Sequence, residues 1–76
     1  MNKQRRTELE IILDLLESAK DRLEAVLGEE EDSRDNTPES LQYTERYEQS
    51  EAAYDSLTEA MDSLDTAIEA VNQATE

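Results

Sequence analysis

The chain reads as all-α: an antiparallel helical hairpin of coiled-coil type, pairing with a second copy into a four-helix bundle. Three observations carry this. Apolar residues recur in alternating steps of three and four along most of the length, the signature of helices with a greasy seam. The 76 residues include one Gly and one Pro, too little turn material for a β fold. One polar, acidic stretch near the middle interrupts the pattern, so a single domain over 1–76 divides into helix (about 4–31), acidic loop (about 32–37) and helix (about 38–74).

In the first helix Leu9, Ile12, Leu16, Ala19, Leu23 and Val26 follow the spacing 3-4-3-4-3, with Leu9 at a and Ile12 at d of a heptad. Glu10, Asp14, Glu17, Asp21 and Glu24 run along the helix as an acidic stripe, read as its opposite face. Ile11, Leu13 and Leu15 widen the seam beyond what one partner helix covers. Gly28 is the natural residue to close the helix in a left-handed conformation, although the following Glu29-Glu30-Glu31 favours helix and lets the end drift to about residue 32. Thr37-Pro38-Glu39 then sets a capping hydroxyl, a proline and an acid at the start of the second helix.

The second seam reads Tyr43, Tyr47, Ser50, Tyr54, Leu57, Met61, Leu64, Ile68 and Val71. From Tyr54 it is a seven-residue repeat with an apolar first residue, an acid second, Leu or Val fourth and Ala seventh. Ala53, Ala60, Ala67 and Ala74 line one edge, where small side chains let another helix come close. Two antiparallel registers fit. One sets Leu9 against Val71 and Leu23 against Leu57, so paired numbers sum to 80, but it leaves residues 28–52 as a long connection. The other slides by a heptad, sums to 73, sets Leu16 against Leu57, and is favoured because it allows a short loop. It leaves Ile68 and Val71 uncovered, which with Ile11 and Leu15 calls for a partner helix. A chain this short buries only about 60% of its unfolded surface and needs such help.

Composition narrows the chemistry. Cys and His are both absent, which removes thiol nucleophiles, disulfides, thiolate or imidazole metal sites and a histidine base. Carboxylates are so dense that no acid–base pair stands out, and Glu29 to Asp32 with Asp35 lack the ordered calcium-loop pattern. The expectation is no enzyme, no cofactor and no metal. No apolar run approaches the ~20 residues that span a bilayer, and no apolar stretch follows the basic start Lys3-Gln4-Arg5-Arg6, so neither a membrane partner nor a secretory signal is expected.

Charge is the dominant remaining signal. Seven Lys and Arg stand against 21 Asp and Glu, a net −14. After Arg46 there is no cation, so the outer acids of the second helix repel one another without i,i+4 support. Net charge per length on such a rod approaches that of a nucleic-acid strand, about one per 3.4 Å. This points to a basic, nucleic-acid-binding protein as partner and argues against direct nucleic-acid binding. The residues expected to pair with its Lys and Arg are Glu48, Glu51, Asp55, Glu59, Asp62 and Glu69, with Glu29, Glu30, Glu31 and Asp32 at the loop. The alternative is a structural or scaffolding bundle whose acids serve only solubility. Tyr43, Tyr47 and Tyr54 are read as packing on the seam, and Lys3, Arg5 and Arg6 as pairing with acids at the far end of the second helix.

The segment Asp35-Asn-Thr-Pro-Glu-Ser-Leu-Gln-Tyr-Thr-Glu-Arg-Tyr-Glu48, the Ala-rich acidic heptads after it and the basic start of helix 1 resemble a family of small acidic helical proteins of Gram-positive phages and prophages. Asn-x-Pro-Glu-Ser-Leu-Gln is the distinctive part; the heptads are generic. The resemblance implies a phage accessory protein in the bacterial cytoplasm. By analogy of context it implies an inhibitor of anti-CRISPR or anti-restriction type that imitates nucleic acid, with no catalytic residue to carry over. A looser similarity of Tyr47-x-x-x-Glu51 to secreted type VII hairpins fails, because the Trp-x-Gly turn is missing.

Overall fold

A computed structural model describes all 76 residues. Two long helices, α1 (Lys3–Asp35) and α2 (Glu45–Thr75), pack as a hairpin, with one 3-10 turn (Glu39–Leu41) in the connection. The result is a rod of 59 × 15 × 14 Å. Its radius of gyration is 17.4 Å, against about 11 Å for a compact chain of this length. No residue is fully buried, because a lone pair of helices covers each seam from one side only.

α1 starts at Asn2, whose side-chain oxygen accepts from the Arg5 amide at 2.8 Å. It does not stop at Gly28. No glycine has a positive φ, and the helix continues to Asp35, closed by amides of Asn36 and Thr37 donating to Asp32 and Arg34 at 3.1 and 3.0 Å. The expected end near 31 is therefore a turn too early. Helix-forming Glu29-Glu30-Glu31 outweighs one Gly, and the seam itself continues past it.

The start of α2 is corrected in the other direction. Pro38, with φ −58° and ψ 144°, opens only the 3-10 turn. Helix proper begins after Thr44, whose hydroxyl accepts from the Tyr47 amide at 3.3 Å and donates to the Leu41 carbonyl at 2.9 Å. Glu45 and Glu48 sit in the first turn, where the helix dipole favours acids. The connection is thus 36–44 rather than 32–37, and Glu29 to Asp32 are helical.

Register and seam follow from those ends. Ser50 donates to Glu30, Tyr54 donates to Glu31 at 3.5 Å, and Lys20 pairs with Asp65. These pairs sum to 80, 85 and 85, so the register at 73 does not hold, and the helices meet at or a few residues beyond the register at 80. The objection to it disappears because α1 runs to Asp35 and α2 starts at Glu45, so the connection is 36–44 and not 28–52. The half-buried line of α1 is Leu9, Leu13, Leu16, Lys20, Leu23, Leu27, Glu30 and Arg34, with Ile12 beside it. Ala19 and Val26 (47% exposed) leave the predicted seam, replaced by Lys20 and Leu27. Covering Leu13 and Leu27 removes more apolar surface from water than covering Ala19 and Val26. In α2 the seam from Tyr47 to Val71 is as read, but Tyr43 precedes the helix and is 86% exposed.

Candidate acidic interface

The seam fixes which side chains share a face. In α1, Leu9, Leu16, Leu23 and Glu30 take heptad position d, and Leu13, Lys20, Leu27 and Arg34 take a. In α2, Tyr47, Tyr54, Met61 and Ile68 take a, and Ser50, Leu57, Leu64 and Val71 take d. Positions e and b then lie on one flank of each helix, and g and c on the other. In an antiparallel pair the two e flanks adjoin, as do the two g flanks. The structure bears this geometry out. Glu17, Lys20 and Asp21 of α1 line one groove with Asp65, Ile68 and Glu69 of α2, while Ser33 meets Arg46, Gln49 and Ala53 around a cleft on the other flank.

The e and b flank is acidic throughout. On α1 it carries Glu10, Asp14, Glu17, Asp21, Glu24, Glu31 and Asp35; on α2 it carries Glu48, Glu51, Asp55, Asp62, Asp65 and Glu69. These thirteen are most of the 21 acids, and no e or b position from Thr7 onward in α1 or in α2 is basic. Glu48, Asp55, Asp62 and Glu69 form one column, repeating every ~10.5 Å at ~1.5 Å rise per residue. The stripe of α1 is therefore not opposite the seam but beside it, adjoining the stripe of α2.

Of the ten residues expected to meet a partner, Glu31, Glu48, Glu51, Asp55, Asp62 and Glu69 share this face and are exposed. Glu29, Asp32 and Glu59 are exposed but point to other sides of their helices, and Glu30 is half-buried against Ser50. Glu10, Asp14, Glu17, Asp21, Glu24 and Asp35 of α1 were not among those ten. The seven-residue repeat that joins Glu10, Glu17 and Glu24 to Glu31 was the signal that would have placed the column.

A single ion pair, Lys20 with Asp65, crosses the groove. The pairing raises the Lys20 pKa above its ordinary 10.5. The hydrogen bond to Asp65 contributes most; desolvation pulls the other way, and the charges of Asp65, Glu24 and Asp21 add to the rise. Lys3, Arg5 and Arg6 make no ion pair, contrary to expectation. Arg34 stacks over the Tyr54 ring at 4.5 Å. No group of three or more carboxylates is arranged to hold a metal ion, and no helix is long and apolar enough to cross a membrane.

Net charge along the rod works out at one per ~4.2 Å, from −14 over 59 Å. That is close to a DNA single strand at ~3.4 Å; two copies side by side reach ~2.1 Å, close to a duplex at ~1.7 Å. No protein-family model matches the chain, and no curated protein or solved structure is significantly similar to it.

Proposed function

We propose that the chain is a non-enzymatic acidic binding module whose e and b face occupies a basic, nucleic-acid-binding groove of a host defence protein. On this reading it is a phage-encoded inhibitor of the anti-CRISPR or anti-restriction type, acting in the bacterial cytoplasm as a homodimer that forms a four-helix bundle. The observation that carries the reading is the collection of thirteen acids on one face of a stiff rod, with Lys20, paired to Asp65, the one cation between the two stripes. Acids needed only for solubility have no reason to gather on one side, where they repel. A partner groove lined by Lys and Arg relieves that repulsion, and the encounter is steered by charge and weakened by salt.

The test is capture from host lysate by the wild-type chain and by Asp55→Lys/Asp62→Lys/Glu69→Lys. The reading expects nucleic-acid-binding proteins that elute with salt, are displaced by duplex DNA, and are missed by the charge-reversed chain. Capture that is indifferent to the reversal, or that DNA does not displace, refutes it and favours a scaffold.

A further inference from the structure

The acidic face has a counterpart. Positions g and c put Ile12, Leu15, Ala19 and Val26 of α1 on the same flank as Ala60 and Ala67 of α2. Leu15 is 65% exposed and Val26 47%. Along α2, from Gln49 to Ala74, every g and c residue is Ala, Ser or Gln. The flank as a whole carries Arg5, Arg22 and Arg46 against Glu8 and Glu29, nearly neutral in a chain of net −14. The hairpin is thus two-faced: one long side acidic, the other nearly neutral in net charge, with apolar and small residues along its middle.

We infer that the g and c face is covered by a second copy of this chain, packed head-to-tail about a two-fold axis near Ala19 and Ala60. This deepens the dimer reading above, on which it rests, by naming the face and the direction. Charge selects the occupant's orientation: two chains of −14 approach most cheaply through their neutral sides, which leaves the acidic faces turned outward on opposite sides of the bundle. Area suffices as well. A face of 59 by 15 Å offers about 900 Å² per copy, against the ~800 Å² typical of stable pairs.

Two features set the direction. The turn end of the rod is strongly acidic (Glu29 to Asp32, Asp35 and Glu39 against Arg34 and Arg46), while the other end carries the basic tip Lys3, Arg5 and Arg6, none in an ion pair, beside Glu8 and Glu76. The cations in the first turn of α1 oppose its dipole. Head-to-tail pairing lays each basic end near the partner's acidic end and offsets that cost. Ala19 and Ala60 are also the midpoints of α1 and α2, so the smallest side chains stand where the copies cross. A bundle of this form presents two acidic faces and takes two basic partners.

The test is sedimentation equilibrium combined with cysteine crosslinking, which is clean because the chain has no native cysteine. The wild-type chain is expected to sediment at twice its 8.7 kDa. Ala60→Glu/Ala67→Glu is expected to weaken the dimer at least tenfold, and Asp55→Asn/Asp62→Asn to leave it intact. Oxidised Ala19→Cys should give a covalent dimer readily and Ala74→Cys should not. A monomeric wild-type chain overturns the dimer itself. A dimer indifferent to Ala60→Glu/Ala67→Glu, or lost with Asp55→Asn/Asp62→Asn, keeps the dimer and overturns this face. Ready crosslinking through Ala74→Cys overturns the head-to-tail direction, and the crosslinks decide the question should the Ala→Glu chain fail to fold.

Discussion

Replacing Gly28 by Ala tests the continuity of α1 through a single methyl group. Gly28 lies inside α1 with no positive φ, and a Cβ built there meets nothing within 4 Å. The substitution introduces no clash and no backbone strain. It removes the entropy a glycine loses on becoming helical, a gain of about 0.8–1.0 kcal/mol relative to Gly. For a domain of this size that raises the thermal midpoint by about 4–8 °C. The assay is thermal unfolding followed by helical circular dichroism at fixed protein concentration, since the midpoint of any chain that self-associates depends on concentration. Had α1 closed at Gly28 in a left-handed conformation, an alanine there would cost about 1–2 kcal/mol. A continuous α1 and one closed at Gly28 thus predict opposite signs, and a lowered or unchanged midpoint refutes the continuous α1.

Other outcomes follow from the same geometry. The Lys20 pKa is raised in the folded chain, so the pair with Asp65 stabilises fully below the ordinary value of 10.5 and is lost as pH rises through the raised one. The difference in urea midpoint between wild type and Lys20→Met should therefore shrink as pH rises past 10.5 and through the raised value, and a pH-independent difference would count against the pair. Tyr54→Ala, which removes a half-buried ring, its contact with Arg34 and its hydrogen bond to Glu31, should cost about 2 kcal/mol, whereas exposed Tyr43→Ala should stay within about 0.5 kcal/mol. Equal costs in denaturant titrations would contradict the placement of α2's start. Raising salt from about 0.01 M to about 0.1 M cuts the screening length from ~30 to ~10 Å and should raise the thermal midpoint by quieting the thirteen-acid face. A falling midpoint would mean that attraction, not repulsion, dominates the surface.

How far the residues alone reached is clearest where they stopped. The repeat from Tyr54 to Ala74 located the seam of α2 almost residue by residue, because heptad spacing is a property of one helix and needs no partner to be read. α1 offered two adjacent apolar lines, through Ala19 and Val26 or through Leu13 and Leu27, and nothing within it chose between them. The choice came from the area covered against α2 and from Lys20 reaching Asp65. Likewise Gly28 and Thr37-Pro38 are local stop and start signals that the packing of two long seams overrode, moving the turn to 36–44. Net charge and its excess on α2 were legible from composition. That the acids of both helices meet on one side, leaving a nearly neutral side behind, depends on the antiparallel pairing, which joins residues far apart in the chain and so lies outside any single helix's pattern.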